Sequence, residues 1–184
     1  MASSALSTVH PSEPYGTNEN RSDVGNASFA EEGNIDVLKS LLEREVDANS
    51  RNESNQTPLE RAAEKGNVDA ARLLIARGSV LDSRNKWGWT LLHFASRFGQ
   101  VQVSQVLVDH GADVNAKELE HWTPIHLSAA NGLLGIAKLL LNRGADVHPK
   151  NGDGQTGQAP YQISVASGSR DIAELLQVCV ARAD

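Results

Sequence analysis

Residues 123–147 read TPIHLSAANGLLGIAKLLLNRGADV and contain one complete structural unit. Thr123 and Pro124 form a helix start, because a Thr hydroxyl caps free backbone N–H groups and Pro fits the first helical position. Gly132 interrupts the apolar pattern, which resumes in LGIAKLLL with apolar residues three and four positions apart. Gly144 ends this second segment. The stretch therefore predicts two short antiparallel helices followed by a polar turn.

The glycine and threonine residues that mark helix boundaries recur along the chain. The linking glycines, at spacings of 33, 33, 33 and 36 residues, are Gly33, Gly66, Gly99, Gly132 and Gly168. Two further sets recur every 33 residues, namely Thr57, Thr90 and Thr123, and Gly78, Gly111 and Gly144. Glycine at a helix end adopts a left-handed conformation without a steric penalty. The period therefore indicates that helix ends recur at regular intervals along the backbone. A fixed period of this length is typical of a solenoid built from stacked units.

Each first helix begins with a similar capping pattern. In the segment TPLE at 57–60 a carboxylate follows the capping hydroxyl by three residues, which is the spacing of a reciprocal capping box. His93 and His126 occupy the equivalent position after their own Thr residues. We expect both histidines to cap helices, since a zinc site would need further ligands at matching geometry. The last copy, APYQ at 159–162, lacks the hydroxyl but keeps the proline.

These units resemble ankyrin repeats. The resemblance rests on TPIHLSA at 123–129, GADVNA at 111–116, GADV at 144–147 and the 33-residue period. It implies an all-α solenoid of paired antiparallel helices with projecting β-turn fingers. The repeat domain is predicted to cover 25–184, with repeats at about 25–49, 50–82, 83–115, 116–148 and 149–182. The first unit departs from the pattern at 24–30, Glu45 replaces a glycine, and three extra residues enter the finger before Pro160.

Polar residues replace apolar ones at both ends of the array. Ser40 is polar where later second helices are apolar, and Arg170 and Gln177 replace apolar residues in the fifth unit. Because a terminal repeat needs a polar outer face, these substitutions predict five repeats with caps. Val178 and Val180 would still leave some apolar surface at the C-terminal end. Residues 1–24 are rich in Ser, Asn, Pro and Glu, and we expect a disordered tail there.

Composition narrows the function. The 184 residues carry a formal net charge of −6 without a run of basic residues, which argues against a nucleic-acid binder. The single cysteine, Cys179, permits neither an internal disulfide nor a cysteine-based zinc site. No apolar stretch approaches the roughly 20 residues of a membrane span, and the N-terminus lacks a secretory signal pattern. We therefore expect an intracellular protein, in the cytoplasm, the nucleus or both, without membrane contact.

The motifs assemble no catalytic group, so we expect no enzyme, no cofactor and no bound metal. A GxGxxG pattern spans 152–157, but no buried strand precedes it, and an enlarged finger loop explains it better. Asp109 and His110 are adjacent in a helix and do not face one another. Asn115 lies in a context resembling that of hydroxylated ankyrin-repeat asparagines, and the alternative is that it only serves the turn.

The resemblance also implies where a partner binds. In this family partners commonly dock on the concave face, formed by the finger turns and the exposed side of the first helices. Two finger positions, the position before the Thr and two at the end of the first helix vary there. Carried over to this sequence, these positions with neighbouring His121 are Glu53, Ser54, Gln56, Glu64 and Lys65, then Lys86, Trp87, Trp89, Arg97 and Phe98, then Leu119, Glu120, His121, Trp122, Ala130 and Asn131.

All three tryptophans lie on this predicted surface, and Trp is among the residues most enriched at binding hot spots. The sequence therefore predicts a monomeric, non-catalytic module that binds another protein through repeats 3 and 4, chiefly by Trp87, Trp89, Phe98 and Trp122. Alanine at Trp87 or Trp89 is predicted to weaken binding while leaving melting nearly unchanged. The alternative is that Trp89 and Trp122 pack between fingers and stiffen them.

The acidic residues Glu53, Glu64 and Glu120 favour a partner with a basic contact region. An adaptor or scaffold, a stoichiometric inhibitor and an assembly chaperone of an enzyme complex all remain open, because a fold does not name its partner. An enzyme or a nucleic-acid binder is the alternative from another class.

Overall fold

Ten helices in five pairs make up most of the described chain. The computed structural model describes residues 26–44, 47–152 and 157–183. Within those ranges there is no β-strand, and the predicted all-α arrangement of helix pairs is confirmed. The expected tail at 1–24, Glu45 and Gly154 lie outside the described residues. The helices are α1 (Asn26–Glu32), α2 (Ile35–Glu43), α3 (Pro58–Lys65), α4 (Val68–Ala76), α5 (Leu91–Arg97), α6 (Val101–Asp109), α7 (Pro124–Ala130), α8 (Leu134–Asn142), α9 (Pro160–Ala166) and α10 (Arg170–Ala183).

The predicted capping chemistry fixes where α3 begins and ends. The Thr57 side chain accepts a hydrogen bond from the Glu60 backbone N–H at 3.2 Å. In return the Glu60 carboxylate accepts one from the Thr57 N–H, also at 3.2 Å. The helix stops at Gly66, whose φ of 79° is left-handed and therefore favours glycine.

Like helices stack on like helices along the array. Contacts join the first helices α1, α3, α5, α7 and α9 in order, and the second helices α2, α4, α6, α8 and α10 in order. Ala63, Ser96 and Ala129 occupy one equivalent position of the first helices and are completely buried. In the last repeat the same position holds Val165, which is 56% exposed. The position thus faces the next repeat, and its small side chains let successive helices approach closely.

The C-terminal end of the array is only partly polar. Arg170 and Gln177 are exposed, as expected for an outer face. Tyr161, Val165 and Val178 are also exposed, so apolar surface remains at this end, as the valines near the C-terminus had indicated.

An asparagine in the loop after the second helix joins consecutive repeats. The Asn115 side-chain amide donates to the Gly144 carbonyl at 3.3 Å, and its Oδ1 accepts from the Asp146 N–H at 2.8 Å. Asn49 makes the same two bonds two repeats earlier, at 3.4 and 2.8 Å. Asp82 holds this position between them, and within the described ranges it makes no such bond. Asp82 instead borders a cavity of about 160 Å³.

Candidate partner-binding surface

The fingers of repeat 3 (finger 3, 85–89) and repeat 4 (finger 4, 118–122) are held by polar side chains at their bases. Asn85 Oδ1 accepts hydrogen bonds from the backbone N–H groups of Trp87 and Trp89 at 3.0 and 2.9 Å. Glu118 does the same in the next finger, accepting from Glu120 and Trp122 at 2.9 and 2.8 Å. Sequence reasoning missed both residues, although Asn52, Asn85, Glu118 and Asn151 recur every 33 positions. Their bonds close each turn and leave the tips projecting.

Neighbouring fingers are also bonded edge to edge. The Leu119 N–H donates to the Trp87 carbonyl at 3.1 Å, and the Gly152 N–H donates to the Glu120 carbonyl at 2.6 Å. The Arg84 guanidinium donates to the carbonyls of Gly88 and Lys117 at 2.9 and 2.6 Å and so ties finger 3 to finger 4. Side chains at the tips are thus presented on a fixed backbone, which lowers the entropy lost when a partner binds.

Most of the predicted surface residues at the tips are accessible. Leu119 is 70% exposed and Phe98 is 41% exposed. Trp87 is half-buried, and the Lys86 Nζ lies 4.0 Å from the centre of its ring in a cation–π contact. The exposed predicted residues are Glu53, Ser54, Lys65, Lys86, Phe98, Leu119, Glu120, His121 and Asn131, while Trp87, Arg97, Trp122 and Ala130 are half-buried.

Trp89 is the main correction to the predicted surface. Its side chain is only 6% exposed and belongs to the core. The indole meets the Phe94 ring edge-on with centroids 5.3 Å apart, and the Arg97 guanidinium lies 5.4 Å from its centre. Trp122 is half-buried and contacts both core clusters. Trp89 is therefore a packing residue of the core, and its substitution should not leave folding unchanged.

Gln56 and Glu64 are the other predicted contact residues that the structure buries. The Glu64 carboxylate lies 2.8 Å from Arg61 and 3.8 Å from Lys65. Both cations also pair with Glu31 of the first repeat. Burial raises the pKa of Glu31, but its hydrogen bonds and ion pairs with these two cations outweigh burial and hold that pKa below its usual value. The negative charge of Glu64 is thus compensated by Arg61 and Lys65 and does not add to an acidic docking surface.

The two buried histidines cap helices as predicted, and each also reaches the next finger. His126 Nδ1 accepts from the Thr123 N–H at 3.1 Å, so its proton is on Nε2, which lies 3.1 Å from the carbonyls of Pro149 and Gln158. His93 Nε2 lies 3.0 Å from the Trp122 carbonyl. Burial lowers the pKa of His126 to about 4, the two carbonyls opposing it only in part. Both imidazoles use their nitrogens in these contacts.

The remaining candidates show structural contacts. Asp109 accepts hydrogen bonds from Arg143 at 2.6 Å and Gln105 at 2.7 Å, while His110 Nδ1 contacts the Val106 carbonyl at 2.8 Å. Asp109 and His110 thus have separate partners. Cys179 is half-buried. In the described ranges no cluster of three or more potential metal-ligating residues occurs, and no described helix could span a bilayer.

Comparisons with known proteins agree with the repeat pattern. A family model described as ankyrin repeats in three copies matches residues 27–118. A second model, described as ankyrin repeats in many copies, matches residues 107–157. The search of curated proteins finds no match.

Proposed function

Because the chain belongs to the ankyrin-repeat family, whose members are generally protein–protein interaction modules, we propose that it binds another protein through the fingers and first helices of repeats 3 and 4. The observation that carries this proposal is Leu119, which is 70% exposed on a fixed finger next to Trp87. The hydrogen-bonded backbone of the finger holds this large aliphatic side chain in water. Covering it with a partner is favourable in free energy, because its apolar surface is then removed from water.

The free energy gained by covering exposed side chains favours binding through a few anchor residues. Fully burying a leucine side chain contributes about 1.5–3 kcal/mol, so covering the exposed part of Leu119 contributes about 1–2 kcal/mol. Phe98 adds a second exposed apolar side chain at the end of α5. Trp87 supplies a large rigid ring at the tip, and such residues often dominate interface energetics.

The exposed charges of the surface indicate which charges the partner should carry. With Glu64 paired internally, Glu53 and Glu120 remain as exposed acids beside the cation Lys86. A basic contact region on the partner thus has two sites to pair with. We further propose that the protein acts as a monomer inside the cell and without catalysis, and its net charge of −6 does not favour nucleic acid as the partner.

The test compares Leu119→Asp with Val80→Asp as bait in affinity capture from the cell of origin. Val80 is a matched control because it is also apolar, 55% exposed and in a loop, but away from the fingertips. We expect both variants to melt like the wild type, and only Leu119→Asp to lose the captured partner. Equal capture by the two variants, or equal loss, would refute docking at the fingertips.

The class of interaction is then read from the partner. A stoichiometric inhibitor reduces the activity of a purified enzyme partner in proportion to the amount added, up to one equivalent. An assembly chaperone instead binds a subunit that is absent from the finished complex, whereas an adaptor stays in the complex. Each outcome depends on the same contact at Leu119, so the Leu119→Asp variant is the negative control in all three assays.

A further inference from the structure

The backbone hydrogen bond between fingers 3 and 4 has no counterpart between fingers 2 and 3. The Leu119 N–H of finger 4 donates to the Trp87 carbonyl of finger 3 at 3.1 Å. Lys86 of finger 3 is equivalent to Leu119, and Ser54 of finger 2 (52–56) is equivalent to Trp87. Among the described residues no hydrogen bond joins Lys86 to Ser54.

The arginine at the base of each finger also differs between the two junctions. Arg84 of repeat 3 donates to the Lys117 carbonyl of repeat 4 at 2.6 Å. Arg51 holds the same position in repeat 2. It donates to the Asn55 carbonyl of its own finger at 2.6 Å and pairs with Glu60 of its own repeat at 3.6 Å. The arginine of repeat 2 thus serves its own repeat.

A glutamate takes the place of the capping histidine in repeat 2. His93 and His126 each place Nε2 against a carbonyl of the next repeat. The Glu60 carboxylate caps α3, but in its ionised form it has no proton to donate to a carbonyl of finger 3. The Ser83 hydroxyl, at the start of repeat 3, lies close enough to Glu60 to favour its ionised form, but the two are not in hydrogen-bond geometry.

The loop after α4 completes the pattern. Asn115 joins the loops of repeats 3 and 4 by its bonds to Gly144 and Asp146. Asp82 holds this position in repeat 2, and its carboxylate has no N–H to donate to the loop of repeat 3. The cavity of about 160 Å³ lies here, bordered by Asp82 of one loop and Asp113 of the next. The finger and loop end of this junction is therefore loosely joined.

The opposite end of the same junction is held. The Gln100 side-chain amide donates to the Glu64 carbonyl at 3.0 Å and ties the end of α3 to the start of α6. Gln100 also lies directly on the bare backbone of Gly66, where a β-carbon would collide with it. Apolar packing between α3 and α5 continues across the junction. Because such packing is not directional, it permits a small rotation about the Gln100 contact.

From these contacts we propose that the junction between repeats 2 and 3 is a hinge. Repeats 1 and 2, joined by Asn49, form one rigid body. Repeats 3–5, joined by their fingers, form the other and carry the docking surface. The eight residues of α3 span about 12 Å, so a rotation of about 10° about Gln100 moves the finger end of α3 by about 2 Å and the fingertip by more. The separation of Glu53 and Lys86 then adjusts to partners of different width. The hinge is a property of the free protein and does not depend on the proposed function.

Pulsed electron paramagnetic resonance on the full chain measures this motion. Cys179→Ser removes the native thiol, and pairs of introduced cysteines carry nitroxide labels. Ser54→Cys with Glu120→Cys labels fingers 2 and 4, while Lys65→Cys with Asn131→Cys labels the helix ends of the same repeats near Gln100. All four of these positions are exposed. We expect the distance distribution of the fingertip pair to be broader than that of the helix-end pair by about 2 Å or more.

A third label pair controls for label motion on exposed loops. Lys86→Cys with Lys150→Cys uses exposed positions of repeats 3 and 5, which lie within one rigid body. We expect its distribution to be as narrow as that of the helix-end pair. If it is as broad as that of the Ser54 and Glu120 pair, or if all three pairs are equally narrow, the hinge is overturned.

Restoring the missing contacts tests their role. Glu60→His gives repeat 2 the cap of repeats 3 and 4, and Asp82→Asn gives its loop an amide donor. Together they should narrow the fingertip distribution to the width of the helix-end one, and Asp82→Asn alone should narrow it in part if Glu60→His does not fold. Glu43→His with Asp36→Asn makes the same changes on exposed residues of α2 and should leave the distribution unchanged. A folded Asp82→Asn variant with the full wild-type width, or equal narrowing by the α2 control, would overturn the inference.

Discussion

Protonation of His126 should destabilise the fold, and the structure sets the size of the effect. The imidazole is completely buried, and Nδ1 already accepts the Thr123 N–H, so a proton on Nδ1 would remove a helix cap. Burial lowers the pKa of His126 from 6.5 to about 4. The unfolded chain therefore binds the proton first, and the free energy of unfolding falls as the pH drops from about 6.5 towards 4.

The magnitude follows from the pKa difference. One pKa unit corresponds to about 1.4 kcal/mol, so the full difference amounts to about 3 kcal/mol. Between roughly pH 7.5 and pH 5 the wild type should lose about 2 kcal/mol through this residue. Urea unfolding followed by circular dichroism measures the loss at each pH, with the slope of the unfolding curve checked for constancy.

His126→Gln is the matched variant, because the fifth repeat already uses glutamine at this position. The Gln162 side chain accepts the Ala159 N–H at 2.9 Å, so the cap survives without a titrating group. We expect the variant to lose about 2 kcal/mol less than the wild type over the same pH interval. Glu60→Gln provides a control of opposite sign, since burial raises the pKa of Glu60 and its contribution is lost as the pH rises. Parallel pH profiles for the wild type and His126→Gln would refute the reasoning.

Three further predictions concern stability. Asp82→Asn should restore the missing bonds to the next repeat and raise the free energy of unfolding by about 1 kcal/mol, measured by urea unfolding; no gain would contradict the asparagine contact. Trp89→Ala should cost about 3–5 kcal/mol because its indole is in the core, whereas Trp87→Ala should cost about 1 kcal/mol; thermal melts showing equal losses would contradict this assignment. Ser104→Ala should stabilise the fold by about 1 kcal/mol, since its buried hydroxyl has no hydrogen-bond partner among the described residues, while Ser128→Ala should not, since its hydroxyl donates to a carbonyl at 2.8 Å.

The sequence predicts the architecture because the residues that define each repeat act on the backbone close to them in sequence. A Thr cap, a Pro at the first helical position and a left-handed glycine each act within a few residues, so they can be read without knowing the rest of the fold. His93 and His126 were readable as caps for the same reason. Their second contact, to a carbonyl of the next finger, depends on how repeats stack and leaves no mark in the local sequence.

The candidate site was less predictable because exposure depends on neighbouring repeats. Trp87 and Trp89 are two residues apart on one finger, yet only Trp89 enters the core. Glu64 looks like a surface acid in the sequence, but Arg61 replaces an apolar residue of the later repeats and pairs with it. Distinguishing these cases requires knowing which side chains the adjacent finger and helix supply, and that is tertiary information.

In each repeat, the residues that hold the finger differ from those that can contact a partner. This separation explains how a regular scaffold can present a specific binding surface. Finger 4 is held from below by Glu118, from the side by finger 3 and from the preceding helix by His93. None of these contacts uses the side chain of Leu119 or Glu120. The tip residues are therefore free to match a partner without a cost in stability, whereas the residues that hold the finger are not. Recognition in this protein should accordingly change through substitutions at the tips, and folding through substitutions at the bases.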